Sequence, residues 1–280
     1  MSNEIYKIIS AGYKAASLGY GNPLMCVVAE STNGKTDTMN AIIRDNSKIF
    51  FLPPSSTFVV FDILKDAIVG NDMKFIFVDD KSKWQKNDDF NNAVMMLKNM
   101  AEKKLNPSRL DNFHKTMYNI NVSVGSALFL NKEQLNESWS QMDRTGYKGR
   151  CLYLYKKHTP QDYKYILSMY RIHGYSEENP PYFKVGDNFW KWESEIGTVD
   201  DEIDKWISDN YISSVSKTIY AIAKVVTSEG FWSLVPILNK SMRKEDYPEK
   251  IEFDFGRCRC EKCRNNGQSR LLLTAGPVLN

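Results

Sequence analysis

Apolar residues recur along this chain in two rhythms, short unbroken runs and helical spacings, and their alternation lays out an α/β fold. Ile5, Ile8, Ile9, Tyr13 and Ala16 share one side of a helix over residues 4–19, which ends at the Gly19-Tyr20-Gly21-Asn22-Pro23 turn. Leu24 to Val28 follow as a nearly all-apolar run, the pattern of a strand buried on both faces. After a loop of small residues, Met39, Ile42 and Ile43 resume helical spacing. Lys48 to Leu52 predicts a second strand, closed by Pro53-Pro54-Ser55-Ser56, and Ser56 or Thr57 then caps a helix running to about Val69. Asn71-Asp72 turns the chain into a third strand, Lys74 to Val78.

The second half continues the alternation less cleanly. Asp88 to Lys104 reads as a helix, with Pro107 marking a break, and Tyr118 to Val124 alternates enough for a strand that Gly125-Ser126 would end. A short helix over Leu135 to Met142 leads to a strand at Arg150 to Tyr155, and Thr159-Pro160 opens a helix through about His173. Tyr175 to Gly197, rich in Pro, Gly, aromatic and charged residues, reads as an irregular insertion. Asp200 to Val226 reads as one long amphipathic helix, with Ile203, Ile207, Tyr211, Val215, Ile219 and Ile222 on one face. The expectation is an α/β fold, a parallel sheet flanked by helices over residues 1–198, followed by a helical region over 199–280.

Composition narrows this only a little. The 280 residues suffice for a full core, and the apolar and charged fractions are those of an ordinary globular protein. No basic segment leads into an apolar one at the N-terminus, and no apolar run approaches membrane length, so an intracellular, cytoplasmic protein without a membrane partner is expected. Five cysteines, an odd number, fit a reducing compartment better than a disulfide framework. A net charge of +3 neither demands nor excludes a nucleic-acid partner.

The chemistry concentrates in the loop after the first strand. Ala29-Glu30-Ser31-Thr32-Asn33-Gly34-Lys35-Thr36 matches the phosphate-binding pattern G-x-x-x-x-G-K-[ST] except at Ala29, which stands where the pattern has Gly. Gly-Lys-Thr alone is a common tripeptide, so the flanking strand and helix carry the inference. In that context successive backbone N–H groups and the positive end of the new helix surround a polyphosphate. Lys35 reaches the β- and γ-phosphates of ATP, and the Thr36 hydroxyl sits on Mg²⁺. One strand–helix unit later, Phe75 to Val78 ends in Asp79-Asp80. Acids at the carboxyl end of a buried strand project where ligands of open α/β sheets collect, so Asp79 is the candidate to orient Mg²⁺ and Asp80 to polarise the attacking water.

This order of parts resembles the P-loop NTPases, and within them the AAA+ group, the minichromosome-maintenance-type helicases in particular. AESTNGKT (Ala29 to Thr36), FIFVDD (Phe75 to Asp80), INVSVGSA (Ile120 to Ala127) and TGYKGRCLYLY (Thr145 to Tyr155) carry the resemblance, over roughly Leu24 to Tyr155. It implies a strand ending in a small polar sensor of the γ-phosphate, usually Asn in the family; Ser126 takes that role here, with Ser123 in reserve. It also implies an arginine that reaches into a neighbouring subunit's nucleotide, which carries over to Arg150 with Arg144 as rival. The closing helical region would be a small lid, and Arg270 in Ser269-Arg270 fits the lid arginine that points back at the phosphates. By this resemblance the chain is an ATP-binding and ATP-hydrolysing subunit of a homo-oligomeric ring or filament, acting on DNA as a helicase, translocase or replication or mobile-element ATPase, with a partner protein supplying target recognition.

Two rivals stand beside it. A viral packaging motor or other RecA-like ATPase would have no genuine lid, so Asp200 to Asn280 would pack into the main sheet domain. A nucleotide-binding assembly or regulatory subunit with little turnover would explain Ala29 and the choice of Asp80, where many relatives carry Glu. Cys258, Cys260 and Cys263 form a tight thiol cluster, but a structural zinc site needs four ligands and no fourth Cys or His lies nearby, so reduced cysteines are expected. Trp190 and Trp192 are expected to pin the insertion to the core.

Overall fold

The computed structural model describes residues 4–29, 48–105, 118–119, 122–156 and 198–246, with residues 160, 164, 167, 168, 171 and 172 between them. The Glu30 to Thr36 loop, Arg270, Trp190, Trp192 and the cysteines at 258, 260 and 263 lie outside the described residues.

A helix α1 (Glu4–Ser17) precedes the first strand, β1 (Leu24–Ala29), every residue of which is buried. β2 (Ile49–Leu52), helix α2 (Thr57–Lys65), β3 (Phe75–Val78), α3 (Asn87–Ala101), β4 (Gly125–Leu130), α4 (Lys132–Arg144) and β5 (Leu152–Lys156) follow. These strands form one five-stranded parallel sheet in the order β2-β3-β4-β1-β5. A two-residue antiparallel ladder, Lys104–Leu105 with Tyr118–Asn119, stands apart from it.

The order follows from what each strand can bury. β1, β3 and β4 are buried throughout and take the middle, whereas β2 is half-buried at one edge. Phe77 stands at the centre, its ring 5.4 Å from that of Phe75 and 5.5 Å from that of Phe129 on β4. The steps β2→β3→β4→β5 all run the same way along the sheet, so right-handed crossovers place α2, α3 and α4 on one face. α1 packs on β4 with α6 (Ser213–Ala223), which also meets β5.

The chain's contacts divide it after Lys244. α5 (Asp201–Asn210), α6 and α7 (Ser228–Leu238) thus belong to the compact unit that holds the sheet. Thr218 Oγ1 on α6 accepts a hydrogen bond from the Leu24 backbone N–H at 3.2 Å, tying that helix to the start of β1.

Two sequence expectations are corrected here. Asp200 to Val226 is two helices, because Tyr211 (φ −133°, ψ 149°) and Ile212 (φ −69°, ψ 149°) are extended. The break lets the Tyr211 hydroxyl turn inward and donate to the Leu238 carbonyl oxygen at 2.7 Å. The second correction is the fourth strand. Tyr118 to Val124 contributes two residues to the small ladder, and the buried strand begins at Gly125, where a turn was expected.

Candidate functional site

The connections leaving β1 and β4 set off in opposite directions along the sheet, toward β2 and β5 respectively. Open α/β sheets take their ligands outside the carboxyl ends of strands at such a reversal. Register fixes what gathers there. Val28 lies beside Leu130, and Val78 beside Leu128, so the ends of β1, β4 and β3 reach the same edge of the sheet. Ala29, Asn131, Asp79 and Asp80 are the residues at those ends. With β4 between them, the end of β1 and Asp79 are separated by two strand spacings, about 10 Å.

The two acids have different partners. The Asp79 side chain is 1% exposed, and its Oδ2 accepts a hydrogen bond from Lys83 Nζ at 2.6 Å. Asp80 begins a short 3₁₀ turn, Lys81–Lys83, and its Oδ1 accepts from the Ser82 backbone N–H at 2.9 Å. The same oxygen accepts from Gln134 Nε2 on α4. Gln134 is itself held by a capping box: Asn131 Oδ1 accepts from the Gln134 N–H at 2.8 Å, and Gln134 Oε1 accepts from the Asn131 N–H at 3.0 Å. Lys81 Nζ adds an ion pair to Glu137 at 3.0 Å. The ends of β3 and β4 are thereby braced against each other through polar groups, with one carboxylate facing a cation and the other facing neutral donors.

Ser126 does not join this group. It pairs with Leu24 and Ile76 at the amino-terminal end of β4, about 13 Å along the strand from Leu130. Ser123 lies earlier still, ahead of the strand. The polar residue at the carboxyl end of β4 is Asn131, which sequence reasoning missed. Its signal was present: an apolar run followed by Asn-x-x-Gln, the pattern of a helix cap. Gln134 and Lys83 were missed as well: the tertiary structure brings Gln134 to Asp80, and the local 3₁₀ turn brings Lys83 back to Asp79.

Arg150 is also remote from its own carboxyl edge. It lies two residues before β5, at the amino-terminal end of the sheet, where its Nε lies 3.0 Å from Glu102 Oε1 and its Nη1 donates to the Gly146 carbonyl oxygen at 2.9 Å. Gly146, at φ 71°, ends α4 in the left-handed conformation, and a Cβ there would stand 2.6 Å from Arg150 Nη1. Arg144 is exposed in the last turn of α4.

Among the described residues no group of three or more His, Cys, Asp or Glu is arranged to hold a metal ion. Cys26 and Cys151 are fully buried free thiols, and burial pushes the Cys151 thiol and the Tyr147 phenol well above their ordinary values. Cys151 thereby stays protonated, which suits packing between β1 and β5 and not nucleophilic attack. No helix among the described residues is long and apolar enough to cross a membrane.

The chain matches no protein-family model and no curated protein. Function therefore has to be argued from the site alone.

Proposed function

We propose that this protein is an ATP-binding and ATP-hydrolysing motor subunit of the AAA+ type, a P-loop NTPase that assembles with copies of itself and works on DNA. One observation carries the proposal: a single edge of the sheet holds both the end of the strand that feeds Gly34-Lys35-Thr36 and the buried carboxylate of Asp79.

Asp79 fits a Mg²⁺ contact, since it is a fixed, buried carboxylate that already holds a positive group at 2.6 Å. When bound, Mg²⁺ held by Thr36 and Asp79 draws negative charge from the phosphate oxygens. Lys35 and the loop amides bind and orient the phosphates. Asp80, aimed by Gln134 and the Ser82 N–H, positions the attacking water and takes a share of its proton. Asn131, at the carboxyl end of β4, takes on this proposal the role of γ-phosphate sensor that the resemblance implies, in place of Ser126. Arg150 serves a neighbouring subunit's site. Arg270 remains the candidate from the closing region, and a partner protein would supply target recognition.

A packaging-type or RecA-like motor is the rival that a specific observation favours. It expects residues after Asp200 to pack with the sheet, and α6 does so through Thr218. An assembly or regulatory subunit with little turnover is the third option. ATP turnover measured with and without DNA separates this third option from the two motors. The motor account expects turnover that rises when DNA is added, with rings or filaments visible in particle images under the same conditions. Nucleotide binding without turnover in either condition would contradict it in favour of the regulatory subunit.

A further inference from the structure

Asp79 is a buried carboxylate with a tethered cation. Lys83 Nζ reaches its Oδ2 at 2.6 Å from four residues further along the chain. The partners are unequal. The Asp79 side chain is 1% exposed at the end of a fully buried strand, so it is fixed in place. The Lys83 side chain is 47% exposed on a flexible four-carbon arm. Its ammonium can return to water, but the carboxylate cannot follow it and is left buried and unpaired unless another cation takes the ammonium's place.

The backbone beneath Lys83 is anchored independently of this pair. Asp80 Oδ1 accepts from the Ser82 N–H at 2.9 Å, and Lys81 Nζ is paired with Glu137 Oε2 at 3.0 Å. Only the Lys83 arm needs to move. Any cation that comes to Asp79 Oδ2 has to displace it.

Resting on the assignment of Asp79 to Mg²⁺, we propose that Lys83 is a built-in competitor for that cation. It holds the cation side of Asp79 in the nucleotide-free protein and suppresses binding of free divalent ions. An ion that arrives with a nucleotide brings anionic phosphate oxygens as further ligands, and those tip the exchange. Free Mg²⁺, which gives up its own water reluctantly, has no such help. The consequence is selectivity for the metal–nucleotide complex over the free metal.

The test is a Mn²⁺ titration of the full chain without nucleotide, following free Mn²⁺ by electron paramagnetic resonance and the melting temperature in parallel. Wild type and Lys83→Arg should bind Mn²⁺ weakly and alike. Lys83→Met should bind about tenfold more tightly or better, and its melting temperature should rise with Mn²⁺ where the wild type's does not. Lys83→Gln gives the same comparison should Lys83→Met fail to fold. The double variant Asp79→Asn/Lys83→Met should lose the gain. Uncharged variants that bind no tighter than wild type would overturn the competitor role, as would a gain that survives in the double variant. If wild type still binds Mg-ATP through Asp79, that failure touches Lys83 alone. An Asp79→Asn variant that binds Mg-ATP like wild type would instead remove the assignment beneath it.

Discussion

Arg150→Ala should leave ATP binding as in wild type and cut hydrolysis by about 10³–10⁵-fold, the contribution of an arginine to phosphoryl transfer where it operates from a neighbouring subunit. The fork of a guanidinium stabilises charge spread over the transferring oxygens, and no other residue type at that place does so equally well. On this proposal the effect is in trans. Arg150 lies at the amino-terminal end of the sheet, paired with Glu102, while Asp79 and Ala29 lie at the carboxyl end. The decisive measurement mixes Arg150→Ala with Asp80→Asn subunits. Where an intact Asp80 meets an intact Arg150 from next door, one working site is rebuilt from two inactive proteins, and activity should return. A mixture as inactive as its components, with assembly confirmed, would contradict the assignment and point to Arg144, exposed at the end of α4.

Asp80→Asn should bind ATP normally and lose about 10²–10⁴-fold in turnover, the usual worth of a positioned acid or base. The substitution is close to isosteric. Asn can still cap the 3₁₀ turn at Ser82, so stability should change little. What it cannot do is take up part of a proton from water. Equilibrium binding of a fluorescent ATP analogue, set beside phosphate release, separates the two effects. Equal turnover in variant and wild type would remove Asp80 from the chemistry.

The sheet was legible in the sequence where strands are apolar runs between charged or turn residues. Leu24 to Val28, Lys48 to Leu52, Lys74 to Val78 and Arg150 to Tyr155 each correspond to a strand within a residue or two. β4 was misread for a physical reason. Gly125 looks like a turn residue, but it is glycine because the strand passes against an aromatic ring: a Cβ there would stand 2.5 Å from Phe75 Cε2. That error moved the expected sensor from the carboxyl end of the strand to Ser126 at its amino end. The helix over Asp200 to Val226 was over-extended because apolar spacing continues in phase across Tyr211, while Ser213-Ser214, a helix-start signal, was passed over. Asp79 and Asp80 were legible as strand-end acids from the apolar run before them. Gln134 was not, since its contact needs the fold to bring α4 to the end of β3, and Lys83 was not, since its contact needs the 3₁₀ turn after Asp80.

The most direct measurement is the affinity of wild type and Lys35→Ala for ATP in the presence of Mg²⁺. Lys35 is the one cationic side chain of Ala29 to Thr36, and on this proposal it binds the β- and γ-phosphates. Wild type should bind, and Lys35→Ala, folded to the same melting temperature, should show no binding over the same concentration range. Ser126→Ala, altered at the far end of β4, should bind like wild type. Equal ATP affinity in Lys35→Ala and wild type would contradict a nucleotide site at this edge of the sheet.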